Sequence, residues 1–378
     1  MKMPILLCLL TVLSASIALR AMAVPTEAGG NLTTAARTSI NKGLDWLKTS
    51  QHDDGHWSNA NYPAMTALPL WAFARSDHPD AGSICSRAAE FITSFAQDNG
   101  GIYKVPTGGR GSGGLSTYNT AMCMTALYAY DKKKYADLIL KARKFVADSQ
   151  IQGDSPGVGG FGYGHEPGPR NRADLSNTGW SLMAMRYTRD LEDLRPSGQA
   201  RVTVDWSSAI EYVQKLQNGD KDDPDNYGGF GYERGSARGG TVARGDDGAV
   251  KLRGYGSMTY AGLESMIYAQ VDRNDPRVQS AVKWAARHWS VDVNPGMGRK
   301  GLFYYYNVMS KAFDAADIEA LPRPAGAPPI DWKEDLIQKL SDLQKPDGSW
   351  LNTDNQFWES DPVLVTSYSV LALQNTLD

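Results

Sequence analysis

Residues 42–57, KGLDWLKTSQHDDGHW, contain the pattern that decides the fold. The apolar residues of the first half recur at helical spacing, so this half is predicted to form an amphipathic helix. The second half contains Gly55 and Trp57 and predicts a tight polar turn, because glycine readily adopts positive φ. The pattern recurs along the chain. Internal repeats of this kind predict the overall fold more directly than any single helix or turn does.

Five further segments share the helical half of the pattern, which in most of them has a central aromatic residue and a terminal glutamine. They are residues 87–97, 142–150, 209–217, 281–289 and 336–344. The terminal residues are Gln51, Gln97, Gln150, Gln217 and Gln344, with Trp289 in the equivalent place of the fifth unit. A glycine and then an aromatic residue follow each one. We expect the glutamine to bond backbone groups left open at the helix end, and the aromatic ring to cover that end.

A second, more apolar helix is predicted after each turn, at residues 62–75, 117–130, 175–189, 257–271, 302–313 and 362–377. A helix that is apolar nearly all round is buried, so these six helices are predicted to lie inside the six charged ones. The result is an all-α fold, an (α/α)6 toroid. An open solenoid is the alternative, but the sixth unit matches the first so well that we expect them to be neighbours in a closed ring.

The N-terminus has the features of a secretory signal over residues 1–23. Lys2 is followed by an apolar stretch and by an A-x-A cleavage motif that ends at Ala23. An uncleaved anchor is the alternative, although Arg20 interrupts the apolar stretch before it is long enough to cross a bilayer. The sequence therefore predicts cleavage near Ala23 and a secreted or periplasmic protein.

The mature chain is predicted to contain a linker over residues 24–36 and one toroid domain of six repeats over residues 37–378. No other stretch is apolar enough to cross a membrane. The net charge of −3 does not indicate a general polyanion-binding surface, so no nucleic acid partner is predicted.

Few residues suggest a metal, a cofactor or a disulfide. Cys85 and Cys123 would pair outside the cytosol or stay buried as free thiols. His52 and His56 flank a turn rather than sharing a helix face. The acidic run at residues 220–223 is interpreted as a solvated loop, with calcium binding as the alternative. We predict no metal site and no cofactor.

The repeats resemble those of a known superfamily. The segments that resemble the QW repeat of squalene and oxidosqualene cyclases are Lys42-Gly43, Trp46-Leu47, Gln51, Gly55-x-Trp57 and, in the sixth unit, Gln344 with Gly348-x-Trp350. The other turns are similar to the Gly-Gly-Phe repeats of protein prenyltransferases and of secreted bacterial proteins with prenyltransferase/squalene-oxidase repeats. The resemblance covers about residues 35–378. It implies the α/α toroid of the terpenoid cyclase/protein prenyltransferase superfamily but no single activity, because one fold hosts many functions.

The same resemblance implies where a catalytic acid would lie. A class II terpenoid cyclase protonates its substrate with an Asp-x-Asp-Asp motif at the start of an inner helix. Glu359 and Asp361 precede the sixth inner helix in the places of the first two carboxylates, while Pro362 replaces the third. An aspartate followed by proline is also an ordinary start of a helix, so these two residues are predicted either as caps or as catalytic acids.

Two further groups are candidates for the mouth of the ring. Asp174 and Asn177 open the third inner helix. Asp174 is predicted either as a cap or as a catalytic residue that points into the cavity, with Asn177 beside it as a substrate-binding residue. Arg170 and Arg172 lie just before them and would suit an anionic ligand such as a phosphate or a uronic acid, unless they belong to a solvated loop.

Tyrosines are also predicted near the starts of two inner helices. Tyr255 and Tyr260 flank the start of the fourth, and Tyr304, Tyr305 and Tyr306 open the fifth. Aromatic rings at the mouth of an apolar barrel stack on sugars or stabilise carbocations, and they are also ordinary packing residues.

Three functions are consistent with these features. By resemblance, the protein is terpenoid-cyclase-like or prenyltransferase-like and binds an apolar or isoprenoid ligand in the barrel. The second possibility is a carbohydrate-active hydrolase or lyase, which needs an open groove with facing carboxylates and would bind a glycan. The third is a binding scaffold without catalysis.

Overall fold

The computed structural model describes residues 27–108, 113–165, 172–233, 241–244, 250–323 and 326–378. In these ranges, outer and inner helices alternate along the chain. The outer helices are α1 (Glu27–Thr49), α3 (Ala81–Thr93), α5 (Ala136–Asp148), α7 (Trp206–Gln214), α9 (Pro276–Arg287) and α11 (Trp332–Leu343). The inner helices are α2 (Pro63–Ala74), α4 (Ser116–Asp131), α6 (Leu175–Tyr187), α8 (Gly256–Tyr268), α10 (Leu302–Ala316) and α12 (Pro362–Gln374).

The inner helices close a ring. Each packs against the next in chain order from α2 to α12, and α12 packs against α2. The outer helix α1 joins the two ends of the chain, because it packs against both α11 and α12. The predicted all-α toroid is confirmed, and the open solenoid is excluded.

Two parts of the structure differ from the sequence-based expectation. Residues 27–36, predicted as linker, belong to α1, because Ala36 is fully buried and continues the apolar face of that helix. The insertion of the fourth unit contains a short antiparallel hairpin of β1 (Thr241–Arg244) and β2 (Val250–Leu252), which was not predicted. The predicted signal segment, residues 1–23, lies outside the described residues. Within the described ranges, no helix is both long and apolar enough to span a bilayer.

The turn glutamines join neighbouring outer helices. Gln51 Nε2 donates to the carbonyl of Gly55 in its own turn at 3.0 Å and to the carbonyl of Ile84 in α3 at 3.1 Å. Gln150 and Gln217 likewise bond a carbonyl of their own turn and one at the next outer helix. These glutamines therefore bond two successive units rather than only their own helix end, whereas Gln97 bonds the carbonyls of Phe95 and Tyr103 in its own unit.

The same contact closes the ring. Gln344 Nε2 donates to the carbonyl of Gly348 and to the carbonyl of Ser39 in α1, each at 2.9 Å. In the fifth unit, where tryptophan replaces glutamine, Trp289 Nε1 donates to Asp335 Oδ2 of α11 at 2.7 Å. A hydrogen bond from tryptophan to aspartate therefore joins the fifth unit to the sixth outer helix, where the first, third, fourth and sixth units use glutamine.

The turn aromatic and a threonine hold the inner helix. Trp57 Nε1 donates to the carbonyl of Leu47 at 2.7 Å, and the Trp57 backbone N–H donates to Thr66 Oγ1 of α2 at 3.2 Å. Equivalent threonines accept the corresponding backbone N–H in four other units; they are Thr120, Thr178, Thr259 and Thr366. Five turns are therefore tied to the inner helix after them, and the first and sixth turns are also tied by their tryptophan to the outer helix before them.

The turn glycines lie against the next outer helix. Gly55 has φ +92°, and a Cβ atom there would lie 2.3 Å from the carbonyl oxygen of Arg87 in α3. Gly348 has the same φ, and its Cβ would lie 2.3 Å from the carbonyl oxygen of Lys42 in α1. Any side chain would force the turn away from the neighbouring helix.

We therefore expect Gly55→Ala and Gly348→Ala each to lower the free energy of unfolding by about 2 kcal/mol or more, since strained backbone and steric overlap add. Gly82→Ala is the matched control. A Cβ at Gly82 in α3 has no neighbour within 4 Å, so that change should be neutral or stabilise the protein by up to about 1 kcal/mol. Urea unfolding of the three variants checks this, and equal stabilities would contradict it.

Candidate functional site

A cavity of about 470 Å³ opens at the end of the ring where the inner helices begin. Its wall comes from the first two turns of all six inner helices and from the loops that precede them. Phe357, Trp358 and several methionines and leucines contribute, together with seven tyrosines: Tyr62, Tyr118, Tyr163, Tyr232, Tyr255, Tyr304 and Tyr368. Among the described wall residues, Lys300 is the charged one. The site is therefore apolar and aromatic.

The amide groups in the wall are used by the protein itself. Asn119 Oδ1 accepts the backbone N–H of Ala64 at 2.9 Å, and its Nδ2 donates to the carbonyl of Gly114 at 2.8 Å. Asn294 Oδ1 accepts the backbone N–H of Ser257 at 3.0 Å, and its Nδ2 bonds Ser257 Oγ at 3.2 Å. Both amides hold the starts of inner helices, which leaves them little capacity to bind a ligand.

Several hydroxyl groups in the wall are also paired. The hydroxyls of Tyr163 and Tyr232 lie 3.2 Å apart, and the hydroxyl of Tyr304 lies 2.9 Å from Ser176 Oγ. The second pair bridges α6 and α10, which are not neighbours in the ring. These tyrosines therefore line the cavity while their hydroxyls are bonded within the protein, two to each other and one to Ser176.

The side-chain carboxyl group of the predicted acid Glu359 lies against the N-terminus of α10. Glu359 is fully buried, Oε1 accepts the Tyr304 N–H at 2.7 Å, and Oε2 accepts the Phe303 N–H at 3.3 Å. Asn352 Nδ2 donates to Oε2 at 2.6 Å. Burial raises the pKa of Glu359 to about 7, although these N–H donors act in the opposite direction. The Glu359 carboxyl group thus caps the N-terminus of α10, a helix that begins far from it in sequence.

The other two predicted acids cap their own helices. Asp361 accepts the Val363 N–H at 2.9 Å at the start of α12, and Ser58 Oγ donates to its second oxygen. Asp174 accepts the backbone N–H of Asn177 at 2.8 Å and its Nδ2 at 2.7 Å. Neither aspartate, nor Glu359 or Asn177, is part of the cavity wall. Their catalytic and binding roles stay predictions.

The predicted tyrosines divide into two groups. Tyr255 and Tyr304 line the cavity. Tyr260, Tyr305 and Tyr306 are buried away from it: the hydroxyl of Tyr305 donates to the carbonyl of Ser290 at 2.7 Å, and that of Tyr306 to Val291 at 2.5 Å, while the ring of Tyr260 packs against that of Tyr305.

The predicted arginines and cysteines have other positions. Arg172 is exposed and lies 3.4 Å from Glu233, outside the cavity wall, while Arg170 lies outside the described residues. Cys85 and Cys123 are buried free thiols. No cluster of metal-ligating side chains occurs in the parts of the chain that the structure describes.

Several wall residues were missed by the sequence reasoning. Tyr118 and Tyr368 lie in the first two turns of inner helices, as Tyr304 does, but the sequence analysis did not single them out within the predicted inner helices. Phe357 and Trp358 precede α12, have positive φ and stay half exposed at the mouth. Position in the first turns of an inner helix was the signal that would have identified the tyrosines.

Comparison with known proteins supports the fold assignment. No family model matches the sequence, and no curated protein matches it. A variant of the type II terpene cyclase MstE from Scytonema, in complex with geranylgeranyl dihydroxybenzoate (substrate), has a TM-score of 0.56 at 13% identity, covering 92% of this chain and 99% of the cyclase. Candida albicans protein geranylgeranyltransferase-I complexed with GGPP has a TM-score of 0.52 at 12% identity, covering 89% and 90%.

A GH76 alpha-mannanase from Bacteroides thetaiotaomicron is also similar, with a TM-score of 0.51 at 11% identity, covering 90% of this chain and 95% of the mannanase. Identities this low show a shared fold alone. The chain therefore has the α/α toroid fold that it shares with the terpene cyclase and the protein prenyltransferase, as the resemblance implied.

The pKa of Glu359 leads to a pH-dependent prediction. Because it lies above the ordinary value, the folded state binds this proton more tightly than the unfolded state. The stability from this group is complete below about pH 4.5 and is lost as the pH rises to about 7. One pKa unit is worth about 1.4 kcal/mol, so the loss is on the order of 3 kcal/mol.

Glu359→Gln should remove this dependence. We expect the difference in free energy of unfolding between wild type and Glu359→Gln to fall from pH 4.5 to pH 8 in urea titrations. Asp205→Asn is the control, because the hydrogen bond from Ser208 lowers the pKa of Asp205 below its ordinary value of 3.8, so its contribution should stay nearly constant from pH 4.5 to pH 8. A wild-type-minus-Gln difference that does not change with pH would show that Glu359 titrates normally.

Proposed function

We propose that this protein binds an apolar, isoprenoid-like ligand in the aromatic cavity. The observation that carries the proposal is the cavity wall, which presents aromatic rings and aliphatic side chains while its amides and several of its hydroxyls bond the protein itself. Burying apolar ligand surface there is favourable by roughly 25 cal/mol per Å². The cavity volume lies in the range of about 300–1,000 Å³ that is usual for small-molecule sites.

The solved relatives support the same class of ligand. MstE is described with geranylgeranyl dihydroxybenzoate as substrate, and the geranylgeranyltransferase with GGPP. Both names contain a geranylgeranyl group, which is a long apolar chain. At the identities found here this is support by analogy of fold.

The cavity does not favour the carbohydrate-active alternative. Glycoside hydrolysis uses two carboxyl groups on either side of the bond that is cleaved. The described wall contains no carboxylate, and sugar hydroxyls would meet few free hydrogen-bonding groups there. Similarity to the mannanase extends to the fold. Export of the protein, and catalysis by Glu359, Asp361 or Asp174, remain separate proposals from the sequence.

Ligand titration tests the proposal. We expect geranylgeraniol, delivered from cyclodextrin, to quench the intrinsic tryptophan fluorescence of the protein with saturation, because Trp358 lies in the cavity wall. Mannotetraose should give no saturable change. Saturable mannotetraose binding without geranylgeraniol binding would overturn the proposal and favour the glycan reading.

A larger side chain in the cavity wall should weaken ligand binding. Met65 of α2 lines the cavity, and Met65→Trp adds volume there, so the affinity for geranylgeraniol should fall at least tenfold. Leu194→Trp is the matched control, since Leu194 is 60% exposed and lies outside the wall. Equal loss in both variants, or none in Met65→Trp, would place binding elsewhere.

A further inference from the structure

A buried ion pair lies inside the ring, below the cavity. Lys311 of α10 follows the wall residue Tyr304 by seven residues, which is about 10 Å along the helix axis. Helical side chains lean towards the helix N-terminus, so the lysine side chain extends back towards the cavity. Its Nζ atom lies 3.2 Å from Glu264 Oε1 of α8, and the two side chains are 7% and 2% exposed.

The ammonium group of Lys311 has few partners. Besides Glu264, Nζ lies 3.7 Å from Met183 Sδ and 3.9 Å from the ring centroid of Trp180, both in α6. An ammonium group has three N–H donors, and thioether sulfur is a weak acceptor. Among the described residues, Glu264 gives it a single oxygen acceptor, and Lys311 is in turn the hydrogen-bond partner of Glu264.

A second ion pair that is buried within the described ranges, Arg143 with Glu192, is bonded differently. Arg143 donates to Glu192 Oε1 at 2.6 Å, to the Met185 carbonyl at 2.7 Å, to Thr188 Oγ1 at 2.6 Å and to the Val202 carbonyl at 3.0 Å. It holds the connection after α6 and uses four of its five N–H donors in these bonds. Arg143 therefore has four oxygen acceptors, whereas Lys311 has one among the described residues.

An incompletely bonded ion pair inside a protein is costly. Desolvation of both charges exceeds their attraction unless further hydrogen bonds compensate, and apolar replacements are often neutral or stabilising. Burial accordingly lowers the pKa of Lys311 and raises the pKa of Glu264. The Lys311 side chain keeps 7% exposure, so the protein does not enclose it completely. The pair therefore has unfilled hydrogen-bonding capacity for another group.

Trp180 connects the pair to the cavity. Its ring lies over the Lys311 ammonium and packs against the ring of Tyr118, at 6.2 Å between centroids. Tyr118 is part of the cavity wall. The indole ring of Trp180 thus contacts both the Lys311 ammonium group and a residue of the cavity wall.

We propose that the Lys311–Glu264 pair binds the oxygen-bearing end of an otherwise apolar ligand, such as an alcohol or carbonyl group. The oxygen accepts a hydrogen bond from Lys311 Nζ, and a hydroxyl also donates to Glu264. The apolar body fills the aromatic cavity, and its end passes Trp180. This inference rests on the proposed function, to which it adds the chemistry and orientation of the ligand.

Paired ligands test the inference. Wild-type protein is titrated with geranylgeraniol and with the C20 hydrocarbon of the same skeleton that lacks the hydroxyl group. We expect the alcohol to bind at least tenfold more tightly. In the double variant Lys311→Met, Glu264→Leu, which leaves no unpaired buried charge, the two ligands should bind equally, with hydrocarbon affinity kept.

The control changes an exposed ion pair in the same way. Lys132 and Asp190 lie 2.7 Å apart at the surface, so Lys132→Met, Asp190→Leu should keep the preference for the alcohol. A second variant, Lys311→Gln with Glu264→Gln, retains hydrogen-bonding groups without charge. It should keep part of the preference, and it replaces the apolar double variant if that protein does not fold.

The outcomes separate the two proposals. If wild-type protein binds both ligands equally, or if the apolar double variant keeps the preference, the inference is wrong while the proposed function stands. If wild-type protein binds neither ligand, the proposed function itself fails, and the inference fails with it.

Discussion

The structure depends on a contact between each turn and the outer helix of the next unit. In this contact a glutamine such as Gln51 bonds carbonyls of both units, and a glycine such as Gly55 lies directly against the neighbouring backbone. A repeat unit of two helices cannot bury its apolar face alone, so its stability comes from the interface with its neighbours. The turn contact fixes how closely and at what angle successive units meet, and the ring closes because that geometry repeats.

The cavity forms at the N-terminal ends of the inner helices, and the turn glutamines that hold successive units together are not part of its described wall. All inner helices run in the same direction, so their starts meet at one end of the ring. Those starts supply the aromatic wall, while carboxylates such as Asp174 and Asp361 cap the helix ends. The polar groups that the fold needs are thereby bonded within the protein, in the wall or behind it, and the cavity itself stays mainly apolar. The parallel arrangement of the inner helices therefore accounts both for the ring and for the apolar character of the cavity.

The sequence predicted the architecture well because the repeat is written in local patterns. Glutamine, glycine and aromatic residues mark each turn, and all six inner helices lie within a few residues of their predicted positions. The start of α1 was missed because its first residues lack a strong apolar period. The site was harder to predict, since residues from different units meet only across the ring. Glu359 caps α10 rather than α12, the helix that follows it in sequence, and Phe357 lines the cavity. The spacing of residues along the sequence does not show either contact.

The bond from Gln344 to Ser39 joins residues 305 positions apart. The other turn contacts link units that are adjacent in the chain, so they can form early and with little loss of chain entropy. Closing the circle is different in kind, because the entropy lost grows with the length of chain enclosed, and distant contacts form slowly. Until that last junction forms, α1, α2, α11 and α12 each expose a face that the finished ring covers. The slowest and most aggregation-prone stage of folding is therefore expected at the seam between the first and sixth units.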